Sequence, residues 1–182
     1  MKIIISLFLV IIPFFCLSQD CEYIKKEKDA FTGDQITIPF PEPLIIFIPK
    51  SREDDFDYSL PYLRTVATIS KINKDYFLIT DWVFNDYETY DLYGYIEQGA
   101  KLIIKFQDDS TLTLKSLEST MFDTNIDADT NTYRPLYHLT PAALNKLSTK
   151  PISGIRMYWS TGYEDYLNPI PDAVIKTSKC VK

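Results

Sequence analysis

The residues best suited to chemistry lie between Asp81 and Tyr95, where Trp82, Tyr87, Tyr90, Tyr93 and Tyr95 are interleaved with Asp81, Asp86, Glu88 and Asp91. A tyrosine offers a large flat contact with few rotors to freeze, and its hydroxyl can stay hydrated. Aromatic platforms beside carboxylates suit sugars, and protein loops exploit the same combination. The five aromatics are therefore the candidate ligand-binding surface. The acids raise a second reading, because glycoside hydrolases use two carboxyl groups from distant strands, which spacing alone does not reveal. A third is structural: the acids keep an aromatic connection soluble while Tyr93 and Tyr95 pack on a sheet.

Asp123, Asn125, Asp127 and Asp129 set oxygen ligands at alternate positions, as a calcium ion requires. The first three match the opening ligands of an EF-hand loop. Ala128, however, stands where the sharp turn needs glycine, and Arg134 where a bidentate glutamate belongs. These departures leave a solvated Asx-rich loop as the default and calcium as the one cofactor considered. His138 is the only histidine, which excludes HExxH metal sites and any mechanism needing two imidazoles. Its neighbours Tyr137 and Leu139 place it in a strand leading to a helix, a structural position. No G-x-S-x-G elbow marks a serine nucleophile, and the five glycines form no phosphate-binding loop. No catalytic residue is assigned. A net charge of −6 argues against nucleic acid as a partner.

The elements that must position these groups read mostly as strands. The clearest is a hairpin over Lys101 to Leu117. Leu102, Ile104 and Phe106 alternate with Lys101, Ile103 and Lys105 on one side of a turn, and Leu112 and Leu114 with Thr111, Thr113 and Lys115 on the other. Opposed residues share a face, so an odd loop is required. Asp108-Asp109-Ser110 is predicted as that loop, setting Phe106 against Leu112 and Ile104 against Leu114. Leu63 to Ile69 and Tyr76 to Trp82 read as strands around Asn73-Lys74-Asp75. Leu44 to Ile48, wholly apolar and bounded by prolines, reads as a strand covered on both sides. Ser51 to Tyr58 reads as an acidic loop, and Tyr133 to Leu139 as one strand. Thr140 caps a helix with Pro141 in its first turn, and Pro151 stops it not far beyond Leu147. Ile155, Met157 and Trp159 alternate in the next strand.

The first 18 residues form a secretory leader pattern: Lys2, an apolar run, Pro13, then Cys16-Leu17-Ser18 as a small-x-small site. Residues 19–182 then form a single β-rich domain with no transmembrane segment. Cys21 and Cys180 are the only cysteines beyond the leader, and an oxidising compartment pairs them. That bond brings Lys25, Lys26 and Lys28 near Lys176, Lys179 and Lys182, a basic pole suited to anionic envelope polymers or a membrane surface. The run Cys21-x-Tyr23 followed by Asp29-x-Phe31-Thr32-Gly33 resembles uncharacterised exported bacterial β-domains that open with a D-x-F-T-G strand. Gly99-Ala100-Lys101-Leu102 is similar to their later hairpin, and Ile152-Ser153-Gly154-Ile155-Arg156 to a strand after a short helix near their end. The resemblance implies a fold style and no catalytic residue. The expected protein is mainly β (α+β at the margin), an antiparallel sandwich or curled sheet with one short C-terminal helix. It is exported to the periplasm, outer envelope or medium, and binds a protein or an envelope or carbohydrate component. The competing readings are a glycosidase-like hydrolase using an Asp/Glu pair and a structural subunit of an envelope assembly.

Overall fold

Alternation along the chain pairs strand with strand, and the computed structural model describes residues 21–48, 62–85 and 89–181. The predicted leader, the predicted acidic loop over Ser51 to Tyr58, Asp86, Tyr87, Glu88 and Lys182 lie outside the described residues. β1 (Tyr23–Lys28) and β2 (Gln35–Pro39) form a hairpin. Its loop is fixed by Asp29, whose Oδ1 accepts the Phe31 and Thr32 N–H groups, each at 2.8 Å. β3 (Glu42–Phe47) precedes the longest pair, β4 (Leu63–Ile72) and β5 (Asp75–Phe84). These two join through Asn73-Lys74, with Asn73 in the left-handed region at φ 55°, a conformation asparagine tolerates. Then come α1 (Thr89–Tyr93), β6 (Lys101–Phe106), β7 (Thr111–Lys115), β8 (Asp123–Asn125), β9 (Thr130–Tyr133) and β10 (Leu136–Leu139). The chain continues through α2 (Pro141–Thr149), β11 (Ile152–Trp159), β12 (Gly162–Leu167) and α3 (Ala173–Lys179).

The strands make two antiparallel sheets. One curls in the order β1-β2-β4-β5-β9-β8, with β3 beside β4 and β10 beside β5; the other runs β12-β11-β6-β7. A bridge between Ser116 and Tyr137 stitches β7 to β10. The core lies between the sheets. Leu78, Trp82 and Phe84 of β5, with Ile69 and Ala67 of β4, face Leu102, Ile104 and Phe106 of β6 and Met157 and Trp159 of β11. Each such large side chain withdraws enough apolar surface to contribute about 1.5–3 kcal/mol. The expected Cys21–Cys180 disulfide is present, with Cα atoms 5.6 Å apart.

Several expectations need correction. The β6–β7 hairpin has an odd loop, but it begins one residue earlier and shifts the pairing by two: Leu102 opposes Leu114 and Ile104 opposes Leu112. The loop is Gln107-Asp108-Asp109. Asp109 adopts φ 62° and its N–H donates to the Phe106 carbonyl at 3.0 Å, the three-residue turn that ends on a left-handed residue. The faces survive because the shift is by a pair. β3 is not covered on both sides. Leu44 and Ile45 are buried, whereas Ile46 remains 59 % exposed, because a bulge between Pro43 and Ile45 turns the strand. Tyr133 to Leu139 is not one strand, since Arg134-Pro135 separates β9 from β10 on the same flank of β5.

The capped helix forms as expected. Thr140 Oγ1 accepts the Ala143 N–H at 3.2 Å, and the helix ends where Lys150 becomes extended ahead of Pro151. α1 and α3 are additional. α3 carries weak helix formers, but Ala173, Val174, Thr177 and Ser178 share its buried face. Packing on β4 and β3 therefore overrides propensity.

Candidate functional site

The aromatic stretch divides between core and surface. Trp82 is fully buried and Tyr93 is 9 % exposed, while Tyr90 is 49 % exposed and Tyr95 half-buried. Trp82 and Tyr93 belong to one aromatic array. Trp82 meets Trp159 and Tyr166 at centroid distances of 5.6 and 5.1 Å. Tyr93 meets Trp159 at 5.0 Å and Phe84 at 4.6 Å. Rings at these separations and tilts attract edge to face as well as excluding water. Tyr90 joins through Phe122 at 5.8 Å. Of the acids in the stretch, Asp91 is exposed. Asp81 is held by Arg134, Nε to Oδ1 at 2.7 Å and the second nitrogen to Oδ2 at 2.9 Å.

What Tyr93 reaches is a corner built by α1 against the β11–β12 turn. Thr161 Oγ1 donates to the Leu92 carbonyl at 2.8 Å, Ser160 N–H to the Tyr95 carbonyl at 2.8 Å, and Tyr95 N–H to Ser160 Oγ at 3.1 Å. Gly94 makes that approach possible. It takes φ 66°, and a Cβ there would overlap Ser160 Oγ. The Tyr133 hydroxyl donates to the Gly94 carbonyl at 2.7 Å, tying the corner to β9. The result is a cavity of about 290 Å³ lined by Leu92, Tyr93, Trp159, Thr161, Tyr163 and Glu164.

Register decides which polar groups face it. Tyr166 pairs with Ile155, Glu164 with Met157 and Gly162 with Trp159, so Glu164 shares the inward face with core residues. The outward face of the same hairpin is electrically complete. Arg156 clasps Asp165 at 2.5 and 2.6 Å and lies 4.1 Å from the centre of the Tyr163 ring. Glu164 makes no ion pair among the described residues. Its Oε2 accepts the Tyr166 hydroxyl at 2.8 Å. Trp159 is 6 % exposed, and its buried Nε1–H lies against the Tyr166 phenol without forming a full hydrogen bond.

The phenols in this corner are firmly protonated. Burial, and then the Glu164 charge, push Tyr93 and Tyr166 well above the ordinary tyrosine value. Burial and the Tyr90 phenol push Tyr133 up to about 12. None of the three is thereby suited to act as a base or nucleophile near neutral pH. The corner offers an acceptor in Glu164 beside aromatic walls.

The other candidates are placed apart. Asp123 and Asn125 lie on β8, and Asp127 and Asp129 in the β8–β9 turn, all exposed. Asn125 Oδ1 is spent accepting the Ala128 N–H at 3.1 Å. Among the described residues no group of three or more His, Cys, Asp or Glu side chains is arranged to hold a metal. His138 is surface-exposed on β10, with Nε2 3.8 Å from Asp75 and its ring against Phe77. Near the disulfide, Lys25 pairs with Glu27 at 3.0 Å, Lys176 with Glu42 at 3.3 Å, and Lys26 sits over the Tyr23 ring. Two lysines of the predicted basic pole, Lys25 and Lys176, are thus matched by neighbouring acids. Sequence reasoning missed an aliphatic cavity of about 330 Å³ on the other face of β4 and β5, lined by Ile24, Ile38, Pro41, Val66 and Ile79 beside the Asp81–Arg134 pair. It also missed Glu164. No helix among the described residues is long and apolar enough to cross a membrane. No family model, curated protein or solved structure matches this chain.

Proposed function

We propose that this chain is an exported, non-catalytic binding domain, and that the Tyr93–Trp159–Glu164 corner receives a carbohydrate-bearing component of the cell envelope. One observation carries the reading: a cavity lined by Tyr93, Trp159 and Tyr163 holds a carboxylate, Glu164, that no cation among the described residues neutralises. Flat aromatic surface beside a charged acceptor is the combination that polar ring ligands meet. Export is supported by the Cys21–Cys180 bond, since such bonds persist in oxidising compartments, and by the leader pattern of the first 18 residues.

The hydrolase alternative is less well supported. A glycosidase needs a second carboxyl group roughly 5–10 Å from the first, and Glu164 is the one carboxylate among the described residues lining the cavity. The test uses tryptophan fluorescence. There are two tryptophans, and Trp82→Phe leaves Trp159 as the sole reporter. Titration with envelope-derived oligosaccharides should shift its emission saturably and release no reducing ends. Steady release of reducing ends that Glu164→Gln abolishes would replace the binding domain with a hydrolase.

A further inference from the structure

Aromatic walls alone do not choose between a neutral sugar and a cation; the charge beside them does. The β11–β12 hairpin carries two adjacent carboxylates with opposite fates. Asp165 faces outward and is matched by Arg156 through two hydrogen bonds. Glu164 faces inward and meets only phenols, Tyr166 at 2.8 Å and Tyr93 close by. The one guanidinium on the hairpin is therefore committed to the far face. On the near side Tyr93 and Trp159 line the cavity together with Glu164. An ammonium group is attracted by a ring face and by a carboxylate at once, and more strongly where water is excluded. A ligand that answers the carboxylate and the rings together carries a positive charge.

From these contacts we infer that the corner is a site for an organic cation, specifically a protonated amine, as in a sugar bearing a free amino group. The inference rests on the preceding reading that this corner is the ligand site. It goes further by making the amine, rather than the sugar ring, the determinant. Glu164 receives the ammonium, and the Tyr93 and Trp159 side chains line the cavity beside it.

The test pairs two probes that share one ring, glucosamine and N-acetylglucosamine, titrated against the Trp82→Phe protein with Trp159 emission as the readout. Glucosamine should bind saturably and at least tenfold more tightly than its neutral acetylated counterpart. Glu164→Gln, which keeps the shape and removes the charge, should erase that difference while the melting temperature stays close to that of Trp82→Phe. Should that variant unfold, the same question is answered without it: raising the pH until the glucosamine amine is neutral should abolish its advantage in the Trp82→Phe protein. Equal affinity for the two sugars would overturn the cation assignment and leave the cavity reading standing. No saturable response to either sugar would overturn both.

Discussion

Removing the covalent tie between the ends of the described chain tests how much of the stability resides outside the folded contacts. The double substitution Cys21→Ser/Cys180→Ser deletes a bond between residues 159 apart in sequence. In the chain-entropy account, a loop of that length restricts the unfolded chain by about 5 kcal/mol. The folded side changes far less. β1 keeps its ladder to β2, and the Phe40 N–H still donates to the Glu22 carbonyl at 3.0 Å. α3 keeps buried Ala173 and Val174, Val181 beyond it stays buried, and the Ile69 N–H still donates to Thr177 Oγ1 at 3.3 Å. Because measured effects usually fall short of the entropic figure, the expected loss is about 2–5 kcal/mol, against a typical total of roughly 5–15. Urea unfolding followed by far-UV circular dichroism is the assay. The midpoint should fall while the native spectrum is retained, and the variant should match the wild type held under reductant. A loss below about 1 kcal/mol would refute the reasoning, because the unfolded chain would then gain almost no freedom from cutting its longest cross-link.

Two further outcomes follow from local geometry. Gly94→Ala forces a side chain into a left-handed φ of 66° and against Ser160 Oγ. It should cost more than about 1 kcal/mol in urea unfolding and change Trp159 emission without ligand; an unchanged spectrum would mean that α1 does not shape the cavity. At Asp108, hydrogen bonds from Lys150, then from the Ser110 hydroxyl and N–H, hold the carboxyl down from 3.8 to about 2. A depressed folded pKa contributes stability above the unfolded value and loses it as pH falls through the folded one. Asp108→Asn should therefore flatten the fall in melting temperature between pH 3.8 and about 2, leaving the part due to Asp29, Asp34 and Asp165, whose carboxyls are also held low. Parallel curves for wild type and variant would show that the Lys150–Asp108 contact does not couple to folding.

Much of the architecture was legible because period-two alternation is a strong local signal. The β6–β7 and β4–β5 hairpins, the alternating Ile155, Met157 and Trp159, and the Thr140 cap each follow from residues within a few positions of one another. The failures mark where distant contacts decide. The β6–β7 loop slipped by a pair because both registers keep the same face inward, so that hydrophobicity cannot choose between them. Asp109 chose instead, by accepting φ 62°. α3 was unreadable because its helix depends on burial against β4 and β3 rather than on its own weak formers. The exposure of Ile46 depends on a bulge that shows in pairing alone.

The candidate site was legible in its aromatic half and hidden in its charged half, for a physical reason. Tyr93 stood out because tyrosines and acids crowd one stretch, and it does reach the cavity. Asp81, Asp86, Glu88 and Asp91 drew attention as the carboxylates beside it, yet Asp81 is neutralised by Arg134 and Asp91 is exposed. The carboxylate that faces Tyr93 comes from the other end of the chain, on β12. Its orientation was nonetheless implicit. Once Trp159 is core-facing and the turn is Ser160-Thr161, equal pairing sets Gly162 opposite Trp159 and Glu164 opposite Met157, which commits Glu164 to the inward face. An inward charge on a strand paired along one edge only also discourages a second sheet from adding there. That structural use explains a charged residue at such a position, but an outward lysine would serve it equally well. It does not explain why the charge is negative and stands among aromatic rings. Recognition of an amine explains both with one ligand, which is why the comparison of glucosamine with N-acetylglucosamine separates the two accounts.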